Sequence, residues 1–138
     1  PPPQMTIMNA PIRDACISRR ECTNTPTQAL LMLNEPQYLL AARSLALIVL
    51  SDQELRQEED RLKVAYETIT SKLPDAEEVE SLVNLLEDLE TFYRLKPELA
   101  DALCQGSQLP ETISKFQLAG WSMVVSTLYN LDITKTRE

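Results

Sequence analysis

Apolar residues recur along most of this chain at three- and four-residue spacing, and nowhere do they alternate as a half-buried strand requires. Tyr38, Ala41, Ala42, Leu45, Ile48 and Val49 predict a helix from Pro36 to about Leu50, with a broad apolar face. That helix reads as the most buried of the set. Before it, Ala29, Leu30 and Leu33 predict a short helix over 26–33, ended by Asn34-Glu35-Pro36 because the residue before proline avoids the helical region. Ser51 with Glu54 has the form of a capping box, opening a third helix that carries Leu55, Leu62, Ala65, Tyr66 and Ile69 and ends before Pro74. Asp75 with Glu78 repeats that signal, and Val79, Leu82, Val83, Leu86, Leu89 and Tyr93 form the next stripe. Pro97 opens a short helix closed by Gly106. A last helix starts at Pro110 or just after it, turns Leu118, Trp121, Val125 and Leu128 inward, and stops near Asn130.

The pattern predicts an all-α fold, a compact bundle of five or six helices whose short links favour antiparallel neighbours. Residues 1–23, broken by Pro11 and lacking periodicity, read as an extended lead-in, and residues 24–138 as a single helical domain. The chain opens Pro1-Pro2-Pro3 without an initiator methionine or a signal peptide, as expected of a fragment of a larger protein or of a processed product.

Composition narrows the function. Net charge is −8 over 138 residues, and most carboxylates fall between Asp52 and Glu111. That acidic middle repels duplex nucleic acid, so no nucleic-acid partner is expected. The longest apolar stretch, Leu39 to Leu50, contains Arg43 and is too short to span a bilayer. Histidine is absent, which removes Ser-His-Asp and Cys-His catalysis, His-ligated zinc and Cys-x-x-Cys-His haem attachment from this chain. No metal and no cofactor is expected here. Cys16 and Cys22 could close a disulfide across a short loop in an oxidising compartment, leaving Cys104 as a small buried residue near a helix end.

The candidate chemistry lies before the first helix. Thr25 is a good N-cap, Pro26 suits the first helical position, and Gln28 completes a capping box. Arg13, Arg19, Arg20, Asn24 and Thr25 therefore form a candidate anion-binding or docking corner, where guanidinium forks stand beside unpaired N–H groups. Alternatively Arg19 or Arg20 pairs with Asp132 or Glu21 and ties the two termini together. Asn34, Asn130 and Asp132 read as structural polar residues that satisfy local backbone groups. Trp121, mid-helix on the apolar face, reads as a core anchor before a stacking platform.

Two blocks carry a resemblance. One is Arg19-Arg20, Thr23-Asn24-Thr25-Pro26, Gln28-Ala29-Leu30, Leu33 to Tyr38 and Ala41-Ala42-Arg43. The other is Leu118-Ala119-Gly120-Trp121 with Leu128 to Asp132. Together they resemble the uncharacterised C-terminal domain, a domain of unknown function, of large planctomycete-type proteins that often carry a cytochrome c module. The chain departs from that pattern at Cys22, where arginine is usual, at Thr27 and Ile133, and at Ser71-Lys72, where Gly-Arg is usual. The resemblance implies an exported parent, periplasmic or at the cell surface, with this chain as its closing portion. It implies upstream domains of the same protein as partners, and leaves oligomeric state open.

Two functional expectations follow. The first is a non-catalytic helical module that docks on other domains or on a partner, which should show an apolar patch around the lead-in and the first helix, 26–33. The second is part of a composite substrate- or anion-binding site in a glycan-directed or redox enzyme, which should show a pocket lined by free arginines.

Overall fold

The computed structural model describes residues 36–131. Within them are five helices: α1 Pro36–Ser51, α2 Glu58–Thr70, α3 Ala76–Leu95, α4 Pro97–Cys104 and α5 Lys115–Tyr129. No strand occurs among the described residues, and the all-α bundle read from the periodicity is the fold observed. The lead-in and the helix expected over 26–33 lie outside them.

Local chemistry sets most helix ends. The capping box opening α3 is complete: the Asp75 carboxylate accepts the Glu78 N–H at 2.8 Å, and the Glu78 carboxylate accepts the Asp75 N–H at 2.9 Å. Lys96 alone separates α3 from α4, and Pro97 occupies the first turn of α4, where a missing N–H costs nothing. Gly106, at φ +81°, then reverses the chain in the left-handed region that glycine adopts without penalty. α2 ends on Ser71, also left-handed at φ 61°, with its N–H bonded to the Glu67 carbonyl at 2.8 Å.

Three boundaries differ from the sequence reading. Ser51 does not cap α2 but is the last residue of α1, and the Asp52 carboxylate holds the Glu54 N–H at 2.9 Å in the turn that follows. α2 starts only at Glu58, where Gln57 makes no side-chain cap bond. Glu58, Glu59 and Asp60 fill its first turn, where carboxylates complement the helix dipole. Pro110 opens a turn closed by the Ile113 N–H at 3.0 Å rather than the last helix. α5 begins at Lys115, capped by the Ser114 hydroxyl, which accepts the Gln117 N–H at 3.1 Å.

The core is arranged around α5, which packs against each of the other four helices. Leu118, Ala119, Trp121, Val124, Val125 and Leu128 have no exposed surface. α5, not α1, is therefore the most buried helix. α1 buries Ala42, Ala46, Val49 and Leu50, whereas Ala41 and Ile48, expected on the inward face, are exposed, Ile48 at 67%. Leu55, expected on the α2 stripe, lies before the helix, but the rest of the stripes of α2 and α3 are placed as their spacing predicts, with Leu62, Ala65, Tyr66 and Ile69 inward on α2, and Val79, Leu82, Leu86 and Tyr93 on α3.

Candidate functional site

Among the described residues, α1 is the one helix whose outward side lacks charge from end to end. Gln37, Ala41, Ser44, Ile48 and Ser51 are all exposed and step along the helix by four and three residues, with Leu40 beside them at 54% exposure. That step is the spacing of a helix–helix seam, and the small side chains of Ala41 and Ser44 leave room for a close approach. A surface helix that meets only water normally carries charge on that side.

The one charge on α1, Arg43, is turned across the fold. Its guanidinium Nη1 donates to the Leu103 carbonyl at 3.1 Å and the Gln105 carbonyl at 2.7 Å. These groups end α4, where the last carbonyls have no partner within their own helix and the dipole favours a cation. Arg43 thus locks α1 to the α4 terminus and holds the seam outward. Sequence reasoning noted Arg43 within an apolar helix but assigned it no role. A lone charge in such a run was the signal that could have found it.

A second apolar corner lies where α3 meets α4. Phe92, Leu95 and Leu99 are exposed there, and the Lys96 ammonium sits 5.7 Å from the centre of the Phe92 ring. A cation over an aromatic face partly shields such a corner from further association.

The described residues hold no group of three or more acidic or cysteine side chains placed to bind a metal ion. The thiol and the phenols inside the bundle are displaced away from reactivity. Burial pushes the Cys104 thiol up, despite the lowering effect of Arg43, and the thiol donates to the Lys115 carbonyl at 3.4 Å. Burial also raises the phenols of Tyr66, Tyr93 and Tyr129, with Glu78 adding to the effect at Tyr66. A nucleophile or base working near neutrality needs the opposite shift. Ser122, fully buried, donates to the Leu118 carbonyl at 2.7 Å, a helix-internal bond rather than an activated hydroxyl. Trp121 is fully buried, as its position predicted, and its indole N–H finds no acceptor.

Arg13, Cys16, Arg19, Arg20, Cys22, Asn24, Thr25, Asn34 and Asp132 lie outside the described residues. Asn130 lies within them at the C-terminal end of α5, where its amide donates to the Ser126 carbonyl at 3.0 Å. No helix among the described residues is long and apolar enough to cross a membrane.

A family model described as a protein of unknown function (DUF1553) matches residues 1–86. The match covers the first resemblance block, α1, α2 and the first half of α3, and ends before the Leu118–Asp132 block. No curated protein and no solved structure matches the chain.

Proposed function

This chain belongs to the DUF1553 family of proteins of unknown function, and on that premise we propose that it is a non-catalytic helical module that docks through the outward seam of α1. The observation that carries this reading is the uncharged line of Gln37, Ala41, Ser44 and Ile48, flanked by Leu40 and fixed in orientation by Arg43. Its occupant is a helix from a neighbouring domain of a longer exported parent, or from a partner protein. Such a helix would bury Leu40 and Ile48 and meet no uncompensated charge. The upward displacement of Cys104 and the buried tyrosines supports a packing role over a chemical one.

Amide hydrogen exchange along α1 tests the reading, comparing this chain alone with the intact longer protein. Slower exchange from Gln37 to Ser51 in the longer protein, abolished by Leu40→Glu with Ile48→Glu, is the expected result. Both sites are exposed, so circular dichroism should show the bundle intact. Equal exchange in the two settings would remove the docking role.

A further inference from the structure

The outward seam of α1 reads the same in both directions. Gln37 and Ser51 stand seven residues to either side of Ser44, and Leu40 and Ile48 stand four residues to either side. All five are exposed, Leu40 at 54% and Ile48 at 67%. A two-fold axis through Ser44 that sets two such helices antiparallel brings Leu40 against Ile48 twice and Gln37 against Ser51 twice. It leaves the two Ser44 side chains facing each other, small enough for the helix axes to come close. Polar ends, apolar shoulders and a small centre suit an isologous contact, in which one surface must complement itself. Antiparallel pairing also sets opposite ends of the two helix dipoles side by side.

Charge points to the same contact. The chain carries a net charge of −8, so two copies repel wherever their carboxylates meet. Among the described residues α2, α3 and α4 all expose carboxylates, including Glu59, Glu67, Glu80, Asp88, Glu98 and Asp101, and α5 is enclosed by the other helices. The seam of α1 has none, and Arg43 is engaged by the α4 carbonyls. Two acidic copies can therefore meet on α1 without opposing like charges, whereas a strongly charged partner finds nothing there to pair with. The contact is one helix wide and about 21 Å long, less than a permanent dimer buries, so the association is weak and reversible.

Given the docking role of α1, on which this inference rests, we propose that its occupant is a second copy of this chain, in an antiparallel two-fold dimer centred on Ser44. Sedimentation velocity of the full chain from about 10 µM to 1 mM, where so small an interface dissociates, provides the test. The expected result is a mass that rises reversibly from monomer towards dimer. Leu40→Glu alone and Ile48→Lys alone should each raise the dissociation constant at least about tenfold, since each sets a charge against an apolar side chain. Mixing the two variants should restore a one-to-one heterodimer, because the two-fold register opposes the substituted positions and keeps one Leu40–Ile48 contact. A chain that stays monomeric throughout, a dimer unaffected by either substitution, or variants not rescued by mixing would overturn the proposal. Amide exchange at concentrations where the chain is monomeric keeps the two readings apart. Slower α1 exchange in the longer protein, with no dimer of this chain, would remove the second copy and leave the docking role to another occupant.

Discussion

Glu90 shows how one side chain can record its packing. It stands on α3 with its side chain only 18% exposed, against Gly120 of α5. Burial raises its pKa above the ordinary carboxylate value and the nearby Glu58 raises it further, while Arg94, 3.7 Å away, lowers it without cancelling the shift. A carboxyl whose folded pKa exceeds its unfolded value adds stability in its protonated form. That contribution is complete below about pH 4.3 and is lost as pH rises through the higher folded value. Glu90→Gln should therefore be more stable than the native chain at pH 7, and the difference should vanish near pH 4 in urea unfolding followed by circular dichroism. No sequence pattern announces this. Glu90 is spaced like its solvated neighbours Glu87 and Asp88, and only the close crossing of α5 removes its water. Arg43 teaches the same lesson, since its carbonyl partners lie 60 and 62 residues away along the chain.

At the scale of an element, what is legible depends on whether the signal is closed within a few residues. Asp75/Glu78 and Ser51/Glu54 have equivalent wording, yet only the first forms a capping box. The apolar run of α1 continues through Leu50, so helix propagation carries Ser51 into α1 before it can cap anything. Asp75→Ala should cost about 1 kcal/mol of stability. Ser51→Ala should change it by less than about 0.5 kcal/mol, as expected of an exposed site without such a role. Paired denaturant titrations would separate the two. Ser71 offers a further test, because it holds a left-handed conformation where the resembled pattern carries glycine. Ser71→Gly should stabilise the chain by about 0.5–1 kcal/mol through relief of that conformation, visible as a raised unfolding midpoint.

For the whole molecule, the decisive event is the enclosure of α5. Four helices of moderate amphipathicity close around a fifth that is apolar on nearly every side, and Gly120 allows α3 to come close. A Cβ at position 120 would lie 2.9 Å from the Glu90 Cγ and 3.5 Å from the Leu86 Cδ1. Gly120→Ala should therefore cost about 1–3 kcal/mol by forcing the two helices apart. In a double-mutant cycle Glu90→Ala should recover part of that loss, because the two sites share one contact. Simple additivity would place the strain elsewhere.

The sequence by itself determined the helical class, the inward stripes of α2 and α3, the capping box at Asp75 and the left-handed turn at Gly106. These follow from side-chain spacing and from hydrogen bonds that close within three or four residues. Tertiary structure alone decided which helix became the centre and which apolar residues stayed outside. α1 and α5 are both rich in apolar residues, and periodicity cannot rank two such helices for burial. The outcome depends on how many neighbours surround each one. α5 is enclosed by four helices and buries its whole middle, while α1 lies at the edge and leaves Leu40 and Ile48 facing outward.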